Sequence, residues 1–126
     1  MPKITIVNSN DMPWKDGATR YVKDGKEFKV KSRFPIAHFE NTLYFGSAKY
    51  QPNLRVEPHH HPCNEILYVT RGEMHLGKKV YKKGTAISIA EGTIYGPLTA
   101  GPRGVEFLTI RDKHPKGFFK PGEQAP

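Results

Sequence analysis

Two imidazoles and a carboxylate fall within one short stretch of the chain, Glu57-Pro58-His59-His60-His61-Pro62-Cys63-Asn64-Glu65. Three of the six histidines are consecutive here, and the single cysteine follows them. In extended backbone, side chains alternate faces with a period of two, so His59 and His61 point one way and His60 the other. Glu65 opens the apolar run Ile66-Leu67-Tyr68-Val69, which has the composition of a strand. Two imidazoles and one carboxylate on one wall match the set that grips a divalent metal and leaves positions open for substrate. His59, His61 and Glu65 are therefore the candidate metal ligands. Cys63 shares their parity but follows Pro62 in a connection where alternation need not hold. As a thiolate it would turn the site toward softer metals such as zinc; the reading taken here is a bystander.

The elements that must position this set read as β-structure throughout. Lys3 to Val7 alternates, with Ile4 and Ile6 on one face, and Asn8 to Gly17 is a loop with Trp14 as a packing anchor. Asp24-Gly25 is a favoured two-residue turn, so Thr19 to Lys23 and Lys26 to Lys31 form a hairpin. His38, among Phe34, Ile36 and Phe39, is assigned a structural role, and His75 likewise. Leu43 to Tyr50 is an aromatic-rich strand broken by Gly46, and Leu54 to His61 carries the first two candidate ligands. Glu65 to Thr70 follows, with Glu65, Leu67 and Val69 on one face. Arg71-Gly72 turns the chain into Glu73 to Leu76. Thr85 to Ala90 is a strand, Thr93 to Tyr95 follows a turn at Glu91-Gly92, and Gly96 to Gly104 is a loop. Val105 to Arg111 closes the series, with Val105, Phe107 and Thr109 on one side. The Phe118-Phe119 pair in the tail is expected to pack back on the body or on a partner chain.

Length and composition bound what this can be. The 126 residues make one domain, large enough for a core without disulfide or metal staples. It divides into an N-terminal hairpin and loops (1–41), a core of about 42–111 and a tail (112–126). Twelve glycines, eleven prolines and thirteen Phe and Tyr suit many short strands joined by turns. One cysteine forms no internal disulfide, and no apolar leader or membrane span is visible, so the cytoplasm is expected. The net charge of +8 comes from 20 Lys and Arg against 12 Asp and Glu. Those lysines are scattered through turns, with no basic helix or RNA-binding signature, so a solvated basic surface is favoured over nucleic acid.

The spacing His59, His61, Glu65, Gly72 resembles the first motif of the cupin superfamily, G(X)5HXH(X)3,4E(X)6G, with Asn53 where the first glycine is expected. The second motif, G(X)5PXG(X)2H(X)3N, is matched at Gly84 and Gly92, while Ala90, Tyr95 and Thr99 replace its proline, histidine and asparagine. The resemblance covers roughly Leu43 to Arg111. It implies an all-β fold, a double-stranded β-helix or jelly-roll barrel, with the motif residues pointing into its mouth. It also implies a homodimer, and a centre of three histidines and one glutamate for a divalent or ferric ion: iron first, with zinc, manganese or nickel as alternatives. Tyr95 stands at the third histidine. Three roles are open to it: phenolate ligand, acid/base or substrate-binding group beside a three-ligand metal, and filler of a metal-free site. The second is favoured here, which makes Tyr95 the candidate catalytic residue. The function expected is a metal-dependent enzyme on a small organic substrate, dioxygenase-like or a lyase or isomerase. The alternative is a binding or sensing module with no reaction of its own.

Overall fold

The computed structural model describes residues 4, 6–21, 27–36 and 43–113. Among the described residues there are a short 3-10 turn at Ser9–Asp11 and eight strands. These are β1 (Lys15–Tyr21), β2 (Glu27–Ile36), β3 (Tyr44–Tyr50), β4 (Arg55–Val56), β5 (Glu65–Leu76), β6 (Lys79–Lys82), β7 (Ala86–Ile89) and β8 (Leu98–Arg111). All pairings between strands are antiparallel. Two long strands, β5 and β8, pair along most of their length and belong to both layers of the fold. Their outer halves, Glu65–Val69 and Val105–Arg111, sit between β3 on one side and β7 on the other, and β2 and β1 extend that layer. Their inner halves pair with β6 and β4.

The corner between the layers is built by two register shifts in β5, between Val69 and Arg71 and between Gly72 and Met74. Such bulges bend a strand and raise its twist. Gly72 has φ of +71°, and a Cβ there would run into the Gly104 carbonyl. Only glycine fits a left-handed position against opposing backbone. The expected Arg71-Gly72 turn is therefore a bend inside one continuous strand. The shifts also invert the alternation: Glu65, Leu67 and Val69 are buried before the corner, and Met74 after it.

Inward-facing side chains of the two layers make the core. Val30, Ala48, Tyr50, Leu67, Val69, Val105 and Phe107 from one layer meet Leu54, Val56, Met74, Leu98 and Ala100 from the other. Each fully buried residue of this kind contributes about 1.5–3 kcal/mol of transfer free energy. Tyr50 and Phe107 meet edge to face at 5.1 Å between centroids. The all-β jelly-roll expectation holds. The sheet order β1-β2-β3-β8-β5-β6 does not return on itself, so hydrogen bonding closes no barrel among the described residues.

Other expectations are corrected in detail. Ile4 and Ile6 are exposed and outside any strand. Between Leu54 and His61 only Arg55–Val56 is strand, and the Gly96–Gly104 loop is largely the start of β8. Trp14 is half-buried, with the Arg33 guanidinium 4.2 Å from its ring centroid. The Asp24-Gly25 turn, His38 and the Phe118-Phe119 tail lie outside the described residues.

Candidate functional site

Burial alternates without a break from His61 through Cys63, Glu65, Leu67 and Val69, so the Pro62-Cys63-Asn64 connection keeps strand parity. Asn64 holds that connection in place. Its side-chain amide donates to Asp112 (2.8 Å), its carbonyl accepts from Glu91 N (2.8 Å), and its backbone N–H donates to Asp112 (3.0 Å). On the other side, His59 and Tyr95 face each other as an antiparallel bridge, with N···O distances of 3.1 and 2.9 Å. The turn that delivers Tyr95 has Gly92 at φ of +78°, and Thr93 N–H closes it onto the Ala90 carbonyl. Asn53, which stands at the first motif's glycine, has φ of +64°, a conformation asparagine tolerates better than most residues.

These elements bring together His59, His61, Glu65 and Tyr95, with two residues that the motifs do not contain. Arg111 is the direct cross-strand neighbour of Glu65, and its Nε donates to Glu65 Oε2 at 2.5 Å. Both residues are almost wholly buried, at 2% and 3% exposure. Thr109 donates to the same oxygen at 3.0 Å, and the Tyr95 hydroxyl donates to Oε1 at 3.0 Å. His59 Nε2 lies 3.1 Å from the Tyr95 hydroxyl, and His59 Nδ1 lies 2.8 Å from the Glu57 carbonyl. Tyr44, opposite Arg111 on β3, completes this wall, with the guanidinium 5.7 Å from its ring centroid. His61 packs its ring 4.8 Å from that of His59 and 6.1 Å from that of Tyr95.

The environment sets the protonation states. Burial, then the Arg111 charge, lowers the His61 pKa from the ordinary imidazole value to about 4, so this ring is neutral at pH 7. Burial first, and then the Glu65 charge, pushes the Tyr95 phenol above its usual range, so it acts as a hydrogen-bond donor. Burial likewise raises the Cys63 thiol above its ordinary value. His60 is exposed, and His75 is partly exposed beside Glu73, 3.5 Å away.

Proton counting gives the His59–Tyr95–Glu65 chain a particular property. The Glu57 carbonyl can only accept, so His59 Nδ1 carries a proton. Tyr95 then has one proton for two neighbours, Nε2 of a neutral His59 and the Glu65 carboxylate. Both gaps are bonded only when one further proton is present. A proton on Nε2 would let His59 donate to the Tyr95 oxygen while Tyr95 donates to Glu65.

The expected metal set is only half assembled. The two imidazoles are adjacent and His61 is neutral, as ligation requires. The third donor is turned elsewhere: one Glu65 oxygen accepts from Tyr95, the other from Thr109 and Arg111. No group of three or more His, Cys, Asp and Glu side chains among the described residues is placed to hold a metal ion. In this arrangement Glu65 is engaged by Tyr95, Thr109 and Arg111 and is not turned toward the two imidazoles as a third ligand. The signal for Arg111 was present in the sequence: it continues the Val105, Phe107, Thr109 face, which places a guanidinium on an inward row.

The arrangement of long shared strands, facing layers and motif residues at one end is the fold of the cupin superfamily. Comparison with solved structures bears this out. The polyketide cyclase RemF from Streptomyces resistomycificus superposes with a TM-score of 0.67 at 21% identity, covering 94% of this chain and 88% of its own. An RmlC-like cupin from Shewanella frigidimarina gives 0.65 at 15% identity over 86% and 90% of the two chains. A proposed acetylacetone dioxygenase from Methylibium petroleiphilum gives 0.70 at 13% over 88% and 78%. No protein-family model and no curated protein matches the chain.

Proposed function

We propose that this cupin is an enzyme that moves protons on a small carbonyl-containing substrate, with Tyr95 as the reacting acid/base group. The observation that carries this is the hydrogen-bonded chain from the Glu57 carbonyl through His59 and Tyr95 to Glu65. Tyr95 turns its hydroxyl from Glu65 to give its proton to a substrate carbonyl oxygen while His59 Nε2–H restores it. The neutral His61 ring takes the α-proton to give the enol, and the reverse sequence returns a solvent-derived proton to carbon. Glu65, fixed by Arg111 and Thr109, holds the phenol in line. Arg111 Nη2 is buried with no hydrogen-bond partner among the described residues, so the guanidinium serves to fix Glu65. Two structural neighbours are named for carbonyl-rich compounds, a polyketide and acetylacetone, which supports that substrate class.

The test is exchange of the α-protons of 1,3-diketones and related ketones into deuterated water, followed by NMR. Positioned acid/base groups typically contribute about 10²–10⁴-fold, so Tyr95→Phe should lose at least about 100-fold of the exchange rate, and chelator treatment should leave it unchanged. No exchange with any ketone, or full exchange by Tyr95→Phe, defeats the reading.

A second reading is favoured by the adjacent rings of His59 and His61. A divalent or ferric ion on these two, with Glu65 released from Arg111, would supply a Lewis acid. Stoichiometric metal by elemental analysis, and exchange lost on chelation, would select it over the first. The homodimer is retained as part of the proposal, with the exposed Ile66 and Tyr68 on the outer face of β5 as its contact; sedimentation tests it.

A further inference from the structure

The corner where β5 and β8 bend carries a cleft, about 20 Å along β5 from Glu65 at the usual strand rise. Its volume is about 780 Å³, and a smaller one of about 310 Å³ opens beside it, sharing Gly72, Lys83 and Arg103. Volumes of roughly 300–1,000 Å³ are those of small-molecule sites. Five cations converge on the larger cleft from five parts of the chain: Lys31 on β2, Lys49 on β3, Arg71 on β5, Lys83 between β6 and β7, and Arg103 on β8. Glu106 is the one carboxylate in its lining, and it pairs with Lys49 at 3.3 Å. Lys31 pairs with Asp16. Arg71, Lys83 and Arg103 have no carboxylate partner among the described residues. Three unneutralised cations around one concavity repel one another and raise the local concentration of anions.

We propose that this cleft binds a small ligand carrying two or more phosphate groups. Three excess charges, two of them guanidiniums, suit several phosphate oxygens better than a single carboxylate, because the guanidinium fork matches phosphate bidentately. The cleft also discriminates between polyanions. Its one aromatic lining residue, Tyr50, is only 2% exposed and packs against Phe107, so no ring is offered for base stacking. Single-stranded nucleic acid relies on such platforms. A compact polyphosphate needs none. The inference is independent of the chemistry at Tyr95.

The probe is inorganic tripolyphosphate, titrated calorimetrically into the full chain in low-salt buffer. One-to-one binding is expected, at least about tenfold tighter than orthophosphate and weakening as salt is added. Arg71→Gln/Arg103→Gln should lose at least about tenfold per arginine, the scale of a hydrogen bond to a charged group. Both arginines are exposed, so the variant should melt as the parent does. Lys78→Gln/Lys79→Gln, in the neighbouring turn outside the cleft, should bind as the parent. Absence of binding, equal loss in both double variants, or tighter binding of a single-stranded oligonucleotide than of tripolyphosphate would each overturn the proposal.

Discussion

The Glu65–Arg111 pair offers the sharpest test of the site's geometry. Both groups are nearly inaccessible to water, so neither can be rehydrated when its partner is removed. Removing one member of a buried ion pair costs about 3–5 kcal/mol, because the remaining charge stays buried and uncompensated. Arg111→Met should therefore destabilise the fold by about 4 kcal/mol, and Glu65→Leu by a similar amount. Replacing both by apolar groups of like volume removes the desolvation penalty together with the attraction. What then remains is the loss of an acceptor for the Tyr95 and Thr109 hydroxyls, about 1 kcal/mol each where an alternative partner exists and up to about 3 where none does. Tyr95 retains His59 as a neighbour, and the Thr109 hydroxyl has no second hydrogen-bond partner among the described residues. The double variant should thus lie about 2–4 kcal/mol below the parent, well short of the roughly 8 that additivity would give.

Equilibrium unfolding in urea of the four proteins measures this directly, with m-values checked for constancy. A double variant whose loss equals the sum of the singles within about 0.5 kcal/mol would refute the pairing. So would two single variants each within about 1 kcal/mol of the parent, since no buried charge could then have been stranded. Arg111→Met also separates the two functional readings, because it releases the Glu65 carboxylate beside two imidazoles. If His59, His61 and Glu65 are a metal set held apart by Arg111, this variant should take up zinc or iron more tightly than the parent.

Three further outcomes follow from the same geometry. Gly72→Ala places a side chain at φ of +71° against the Gly104 carbonyl, and should cost at least about 2 kcal/mol by thermal or urea unfolding. Asn64→Ala removes two side-chain hydrogen bonds that tie the His61–Glu65 connection to Glu91 and Asp112; about 1–3 kcal/mol is expected, with faster amide exchange in residues 61–65. His61 has a folded pKa of about 4 against 6.5 unfolded, so the unfolded chain takes up the proton first as pH falls. Its contribution is complete above pH 6.5 and is lost between there and pH 4, about 3 kcal/mol in all. Unfolding of chelator-treated protein across that range, compared with His61→Asn, measures it; equal slopes in the two proteins would contradict the neutral buried ring.

Local pattern made part of this site legible and left part of it out of reach. The alternation from Glu65 to Val69 marked Glu65 as sharing the face of Leu67 and Val69, and continuing the Val105, Phe107, Thr109 row places Arg111 on that row; the unbroken parity back to His61 was seen only in the structure. What it could not supply was the register that sets Arg111 directly opposite Glu65, because that register depends on a pairing between strands more than 40 residues apart. The corner at Gly72 was misread for a related reason: a bulge leaves the composition of a turn, Arg-Gly, inside a strand that continues. Beyond it the parity inverts, so no periodicity argument could assign His75 to a face. The N-terminal strand failed differently. Ile4 and Ile6 alternate correctly, but alternation stabilises a strand only where a neighbouring edge accepts it.

Tyr95 and Arg111 act on the same Glu65 carboxylate. A histidine facing His59 and His61 would add a third imidazole and release Glu65 Oε1, while Arg111 and Thr109 would still hold Oε2. With Tyr95 there, the carboxylate meets a hydroxyl donor on one oxygen, and Arg111 and Thr109 share the other. The positive charge a metal would bring is already present as a guanidinium, fixed by cross-strand register and inaccessible to solvent. A cation added beside Glu65 must therefore compete with Arg111 for the same carboxylate at a cost set by burial, whereas a proton added to His59 completes a hydrogen-bonded chain that otherwise lacks one donor. That asymmetry is the physical argument for the proposed proton transfer over metal coordination, and metal uptake by Arg111→Met is the measurement that weighs the two.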